Sequence, residues 1–307
     1  MNPALPKGWG RDRRKGGVNN LEALVGLNLV GGIGSIRLGK LLKFFSRPQD
    51  ILKVSAEKLM GVSGIGQEIA NKICGIKKED VGKEFSLAKK QGLRIIILDD
   101  EDYPENLKNI PDPPIVLYTK GKLLPQDKLA IGIVGSRRAS FYGLSCAEKF
   151  AADLAKQGFT IVSGMARGID TCAHRGALKQ AGRTLAVMGS GFNQIYPPEN
   201  KELADEISKN GAVISEFPIN EKPLKENFPR RNRVISGLSL AVLVVEAARN
   251  SGALITADFA LEQGRDVFAL PGKIDSSASF GTNGLIKQGA KLVSCVDDIL
   301  EEFSVRS

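Results

Sequence analysis

The chain has 307 residues, of which 42% are hydrophobic and 25% are charged. This composition is typical of a globular protein with two or more domains, and it excludes a fully disordered chain. The longest apolar run near the middle of the chain, residues 240–245, is far shorter than the ~20 residues of a membrane-spanning helix. No apolar segment follows the N-terminal charges, so no secretory signal is expected. We therefore predict a cytoplasmic protein without membrane contact.

The four cysteines are scattered and form no CxxC pair, and the chain has a single histidine, His174. This pattern predicts reduced thiols in a reducing compartment and no disulfide framework. Without clustered thiols or a second histidine, we expect no metal site.

The net charge of +9 is concentrated in the first third of the chain. Residues 1–92 contain 17 Lys and Arg against 8 Asp and Glu, whereas residues 93–307 contain 26 of each. A basic segment beside a neutral one is compatible with a polyanionic partner, and equally with a solvated surface.

Residues 1–20 are basic and glycine-rich, which predicts a disordered tail. Residues 21–92 are predicted to form short helices. Within them, Gly-Ile-Gly occurs at 32–34 and again at 64–66, each time before a helix with a spaced apolar face. Such turns expose backbone N–H groups that can hold a phosphate, as in helix-hairpin-helix and sterile-alpha-motif-like modules. Gly-Ile-Gly turns also join helices that bind nothing, so both interpretations stay open.

Apolar, strand-like segments alternate with helical segments from about residue 129 onward. The predicted strands are 129–134, 160–163, 184–188, 212–215, 240–245, 267–270 and 291–294, with an earlier one at 115–118. The predicted helices are 144–156, 169–179, 201–209, 253–263, 285–287 and 296–303. Near-continuous apolar strands are typical of parallel sheets buried on both faces. The sequence therefore predicts an α/β fold, a Rossmann-like and mostly parallel sheet with helices on both faces.

Ligands of such sheets bind at the carboxyl ends of the strands. Glycine loops with basic side chains occur there, with Ser136, Arg137 and Arg138 after one strand and Gly164, Arg167 and Gly168 after the next. Glycine lets a ligand approach the backbone, and arginine offers forked donors to phosphate. Neither GxGxxG nor a Walker A motif is present, so no nucleotide cofactor is expected.

Residues 222–233 contain five basic groups and one acid. We predict a loop here, with Lys225, Phe228, Arg230, Arg231 and Asn232 as candidate DNA-binding residues. Cations and a stacking ring are the combination that single-stranded nucleic acid requires. Alternatively, Phe228 anchors the segment to the core.

Asp170 and His174 lie one helical turn apart, but no nucleophile motif or second histidine accompanies them. We expect bracing roles for both, with Asp170 capping the helix that it begins. Glu246 is expected to brace the 231–233 segment or the loop that contains Gly281, Thr282 and Asn283, which are also assigned structural roles.

Ordered motifs extend over about residues 95–295. They are YPENL at 103–107, VGSR at 134–137, SGMARGID at 163–170, FPRRNR at 228–233, EAARNSG at 246–252, ALPG at 269–272 and GTN at 281–283. In these motifs the chain resembles the DNA-processing protein A (DprA/Smf) family, and residues 21–92 resemble the family's sterile-alpha-motif-like domain.

The resemblance implies a homodimer without catalytic activity that acts in natural transformation. Such proteins bind and protect incoming single-stranded DNA and help to load the RecA recombinase onto it. The implied DNA pocket lies in a Rossmann-like domain at 93–307 and is formed by Ser136, Arg137, Gly164, Arg167, Gly168, Lys225, Phe228, Arg231 and Asn232. The winged-helix domain that ends many members is not expected here.

An enzymatic alternative is a lysine-decarboxylase-like phosphoribohydrolase. Enzymes of this type have a phosphate loop with a sequence similar to PGGxGTxxE. The comparable segment here is 280–286, which contains no acidic residue. This departure makes the alternative weaker. A protein that reads duplex bases is weaker still, since no recognition helix is evident.

Overall fold

A computed structural model describes residues 20–304 of the chain. The predicted basic tail therefore lies outside the described residues, apart from Asn20. Within residues 20–304, no helix combines the length and apolar character needed to cross a membrane.

The described residues pack as two compact units. The first contains residues 20–103, 111–118 and 216–219, and the second contains 104–110, 119–215 and 220–304. The helices are α1 (Asn20–Leu29), α2 (Ser35–Phe45), α3 (Pro48–Ile51), α4 (Ala56–Met60), α5 (Gln67–Cys74), α6 (Lys78–Lys90), α7 (Glu105–Lys108), α8 (Phe141–Lys156), α9 (Ile169–Lys179), α10 (Lys201–Asn210), α11 (Asn227–Leu238), α12 (Gly252–Glu262), α13 (Phe280–Lys287) and α14 (Asp297–Ser304). The strands are β1 (Arg94–Ile97), β2 (Val116–Gly121), β3 (Ala130–Val134), β4 (Thr160–Ser163), β5 (Thr184–Val187), β6 (Ala212–Ser215), β7 (Ala241–Val244), β8 (Asp266–Ala269) and β9 (Lys291–Leu292).

The first unit contains α1–α6, which confirms the predicted helical region. Its apolar positions recur at helical spacing, as at Leu38, Leu41 and Leu42 of α2, which are buried. Residues 216–219 join this unit through polar contacts: the Asn28 side-chain amide donates to the Glu216 carbonyl at 3.1 Å. The packing of residues 216–219 on the first unit could not be predicted from the sequence, because it depends on contacts between residues that are far apart in the chain.

The second unit confirms the predicted Rossmann-like sheet. Within this unit the strand order is β6-β5-β4-β3-β7-β8-β9. Every neighbouring pair from β6 to β9 in that order is parallel. Helices join these strands, as a parallel connection requires.

Helices cover both faces of the parallel strands. On one face, Ile131 and Ile133 of β3 belong to a buried apolar cluster with residues of α8, α9 and α14. On the other face, α11 packs on β3, β4 and β5, and α12 packs on β7 and β8. The strands β3 to β7 are buried throughout, which explains why they are apolar without alternation.

The strand order reverses at β3. The chain proceeds from β3 outward through β4, β5 and β6, and then returns so that β7 lies on the opposite side of β3. The loops after β3 and β4 and the loop after β7 therefore diverge around one crevice, which is where open α/β sheets bind ligands.

One predicted loop is wrong. Residues 227–238 form α11, whose buried positions include Val234, Ile235 and Leu238. Pro229 lies in the first turn of this helix, where backbone N–H groups have no intrahelical partner, so the proline costs little. The proline and the run of charges are typical of a loop, so the helix was not predicted from the sequence. Strand β1 was also not predicted.

Candidate nucleic-acid interface

An open cleft of about 960 Å³ lies in the second unit at the carboxyl ends of the central strands. Of the predicted DNA-binding residues, the cleft is lined by Ser136, Arg137, Arg138, Lys225, Phe228, Arg231 and Asn232. Gly164 and Arg167 line a small adjoining pocket together with Arg137 and Phe228. Arg230 and Gly168 line neither. Segments separated by about 90 residues thus meet at one place.

Two arginine–aromatic pairs form one row at this site. The Arg137 guanidinium carbon lies 5.0 Å from the centre of the Phe228 ring, and that of Arg167 lies 5.9 Å from the Tyr196 ring. The two rings are tilted, with centres 5.8 Å apart. Tyr196 is 38% exposed. Tyr196 is not among the residues predicted from the sequence, because it lies in a loop without basic neighbours.

Phe228 anchors the start of α11 to the protein, which is the alternative prediction for this residue. Its ring is half-buried and packs on Gly189, where an added Cβ would lie 2.8 Å from the ring atom Cδ1. Glycine at position 189 therefore makes room for the ring. Anchored in this way, the ring presents a fixed aromatic surface to the cleft.

Arg167 is exposed but already has a partner. Its guanidinium forms an ion pair with Glu199, with Nη2 donating to Oε2 at 3.1 Å. The hydrogen bond from Arg167 lowers the pKa of the Glu199 carboxyl, and the same contact raises the pKa of Arg167. A phosphate that binds Arg167 must compete with this carboxylate. Glu199 carried no signal in the sequence.

The loop after β3 is held by hydrogen bonds at both ends. The Ser136 amide donates to the Glu246 carbonyl at 2.7 Å, and the Ser136 hydroxyl accepts from the Arg138 amide at 3.1 Å. The buried Glu246 carboxylate accepts from the Ser140 amide at 2.9 Å. Glu246 thus braces the start of α8, not the 231–233 segment or the Gly281 loop. Arg137 and Arg138 are exposed on this fixed loop.

Arg231 is buried, with 4% exposure, and is a structural clamp. Its Nη1 donates to the carbonyls of Gly164 and Val187, which follow β4 and end β5. A Cβ on Gly164 would collide with the guanidinium, so position 164 requires glycine. The expectation that Arg231 offers its charge to DNA is at odds with this placement, since its donors face carbonyls inside the protein.

Asp170 is the acidic partner of Arg231. Burial raises the pKa of Asp170, and the charge of Arg231 opposes that rise. Burial also lowers the pKa of Arg231 to about 10, which leaves it charged at neutral pH. The Asp170 carboxylate accepts from the Ala166 amide at 3.2 Å. The residue at the N-cap of α9 is Gly168 at φ 76°, so Asp170 braces the preceding loop and is not the cap.

The other predicted residues near the strand ends make local contacts. The Asn232 side-chain amide donates to the Gly252 carbonyl at 3.2 Å, which links α11 to the start of α12. The Asn283 side chain accepts from the Gly272 amide at 3.1 Å and donates to its carbonyl at 3.0 Å. Gly281 donates its amide to Ala247 at 2.7 Å, and the Thr282 hydroxyl donates to Ser279 at 3.2 Å. Among residues 20–304, no three His, Cys, Asp or Glu side chains are grouped to hold a metal ion.

His174 is fully buried on α9. The Thr184 hydroxyl donates to the Ile161 carbonyl at 2.8 Å, so it accepts from His174 Nδ1 at 2.7 Å, and Nε2 carries no proton. Burial, reinforced by the charge of Arg231, lowers the pKa of His174 to about 3. His174 is therefore a neutral packing residue in the folded chain.

The position of His174 predicts a loss of stability in mild acid. Because the unfolded chain protonates its histidine near pH 6.5, the stability contributed by the neutral ring is complete above that pH and falls as the pH drops below it. By pH 5 the loss is roughly 2 kcal/mol, at 1.36 kcal/mol per pH unit. Urea unfolding at pH 7 and pH 5 checks this value.

The His174→Gln variant isolates the contribution of histidine to this loss of stability, because the chain contains one histidine. The raised pKa of Asp170 has the opposite effect, since it favours the folded chain as the pH falls. We expect a smaller loss in the variant than in the parent chain. Equal losses in the two proteins would contradict the assignment of His174 as a buried neutral ring.

Comparisons with known proteins agree with the motifs and the fold. Residues 94–304 match the family described as DNA recombination-mediator protein A. Protein Smf of Synechocystis sp. is 41% identical over 276 residues, which cover 88% of this chain and 69% of that protein.

Two solved structures are also similar. The X-ray structure of DNA processing protein A from Streptococcus pneumoniae has a TM-score of 0.80 and 37% identity, covering 92% of this chain and 98% of that one. DNA processing protein A from Helicobacter pylori, whose structure is described in terms of its single-stranded DNA binding mode, has a TM-score of 0.62 and 30% identity, covering 70% and 96%. The chain therefore belongs to the DNA recombination-mediator protein A family, the DprA/Smf family that its motifs resemble.

Proposed function

We propose that this chain binds single-stranded DNA in the cleft of the second unit, without acting on it chemically, and mediates its transfer to a RecA-type recombinase. The observation that carries the proposal is the row of two arginine–aromatic pairs, Arg137 with Phe228 and Arg167 with Tyr196. Family membership and the related Helicobacter pylori protein support it. In this proposal the chain works as a homodimer in the cytoplasm during natural transformation and protects the incoming strand.

The charges that face the cleft favour a polyanion. Although residues 93–307 have no net charge, the exposed charged side chains that line the cleft are Arg137, Arg138 and Lys225. The acid of the lining, Asp170, is buried against Arg231. The cleft therefore presents positive charge to solvent. This charge comes from the local clustering of basic side chains and not from the overall charge of residues 93–307.

Aromatic surfaces favour a strand with unpaired bases. Stacking on a ring needs an exposed base face, which a duplex keeps inside its own stack. The Arg137 guanidinium lies over Phe228. In this proposal a base stacks on the Phe228 ring and the Arg137 guanidinium contacts a phosphate of the same strand.

Substitutions of Phe228 and Arg137 test the site. Phe228→Ala should weaken oligo-dT binding by roughly 1–3 kcal/mol through lost stacking. Arg137→Ala should weaken binding and reduce the slope of log K against log salt by about 0.7, the value for one single-strand phosphate contact. Fluorescence anisotropy of labelled oligo-dT, titrated at two or more salt concentrations, measures both.

The chain contains a matched control. Arg249 lies over the ring of Phe280 at 5.7 Å, in a different cleft of the second unit. Arg249→Ala and Phe280→Ala remove the same chemical groups and should leave oligo-dT binding unchanged. Equal losses in the two pairs of variants would contradict the site, as would duplex binding stronger than single-strand binding. Release of free base from nucleotides would favour the phosphoribohydrolase alternative.

Glu199 is expected to limit DNA affinity. Glu199→Gln frees Arg167 from its ion pair and removes a negative charge beside the incoming phosphates. Because exposed ion pairs are worth about 0–1 kcal/mol, the variant should bind oligo-dT up to about fivefold more tightly. The same anisotropy titration measures this gain.

Glu148→Gln is the control for this gain, since Glu148 forms an exposed ion pair with Lys179 between α8 and α9 and does not line the cleft. It changes the net charge by the same amount. An equal gain in both variants would mean that net charge alone is responsible, and that Arg167 is not part of the site.

A further inference from the structure

The two Gly-Ile-Gly turns of the first unit are brought together by one arginine. Arg37 on α2 donates through Nε to the Gly64 carbonyl at 3.1 Å and through Nη1 to the Gly32 carbonyl. Gly32 and Gly64 both have positive φ, at 73° and 90°, so their turns depend on glycine. The turns that the sequence singled out as a repeat are thus adjacent in the folded unit, and their carbonyls hold a cation.

Positive charge continues along the same helix. Lys40 and Lys43 follow Arg37 at intervals of three residues, and the Lys40 ammonium lies 3.6 Å from the position of a Cβ on Gly64. Arg37 and Lys43 are exposed and Lys40 is half-buried. Within residues 20–304, neither lysine forms an ion pair with a carboxylate. The two lysines therefore extend along one side of α2 without a carboxylate partner, beside Arg37, whose donors are held by backbone carbonyls.

An exposed aromatic ring accompanies these cations. Phe44 is 67% exposed and lies one helical turn beyond Lys40. A large apolar side chain gains nothing from such exposure, whereas a ring between cations can stack on a base. The start of α2 is a separate feature: there the Ser35 hydroxyl donates to Asp112 at 2.7 Å, so an acid already occupies the helix N-terminus. The ligand surface is thus the side of α2 and not its end.

We propose that Arg37, Lys40, Lys43 and Phe44 form a second DNA-binding surface, which holds the phosphate backbone of a further stretch of nucleic acid. The surface is independent of the cleft of the second unit in its residues and its contacts. Two sites on one chain that engage the same strand raise the overall affinity, because the second contact is intramolecular. The gain should appear only with DNA long enough to engage both.

Charge reversal in the full-length chain tests the proposal. Lys40→Glu/Lys43→Glu should lower the affinity for an oligo-dT of about 60 nucleotides by about tenfold, and reduce the salt slope by about 1.4 for two lost phosphate contacts. Binding of an oligo-dT of about 6 nucleotides, within the range that one site covers, should change less than about twofold. Lys89→Glu/Lys90→Glu is the control, since these two lysines are adjacent and exposed at the end of α6 and give the same charge change.

A duplex of matched length, measured in the Arg137→Ala background, separates the two forms of DNA. Loss of duplex affinity in Lys40→Glu/Lys43→Glu supports the surface with a duplex as its ligand, and loss of long oligo-dT affinity alone supports it with a single strand. Should the double variant unfold, Phe44→Ala provides the test, with an expected severalfold loss on long DNA. Equal affinities of the α2 and α6 variants for all three DNAs would overturn the proposal. A result against the cleft of the second unit is distinguishable from these outcomes, because Arg137→Ala would then leave the binding of short oligo-dT unchanged.

Discussion

The buried guanidinium of Arg231 makes the interactions on which the proposed DNA site depends. It joins the carbonyls that follow β4 and end β5, and its charge is balanced by Asp170, which in turn holds the loop at Ala166. Removing one partner of a buried charge pair costs about 3–5 kcal/mol, because the other charge is left uncompensated. These contacts fix the strand ends, and the site is built on them. Preorganisation of this kind lowers the entropic cost of binding a flexible strand.

The basic residues of this region fall into three groups. Arg231 is buried and donates to carbonyls inside the protein, whereas Arg137, Arg138 and Lys225 are exposed at the cleft. Arg167 is exposed but forms an ion pair with Glu199. The Phe228 ring packs on Gly189 and is therefore already held in place at the cleft. The arrangement suits a ligand recognised by its backbone charge and its unpaired bases.

The fold and most of the site segments could be predicted from the sequence, because buried parallel strands are continuously apolar and ligand loops follow their carboxyl ends. The roles of individual residues were harder to predict. Arg231 and Arg137 carry the same side chain beside similar neighbours, and only three-dimensional packing shows that Arg231 is a buried clamp and that Arg137 is exposed at the cleft. Tyr196 and Glu199 reach the site from a loop with no local signal. Helix α11 was read as a loop, since its first turn tolerates the proline and charges that break a helix elsewhere.

The position of the DNA site can be tested by hydrogen exchange with and without saturating oligo-dT, because this measurement locates the bound strand without altering any residue. We predict slower exchange at residues 135–138, 164–168 and 224–228 when DNA is bound. Unchanged exchange in all three segments, under conditions where anisotropy shows the strand to be bound, would contradict a binding site at the carboxyl ends of the central strands.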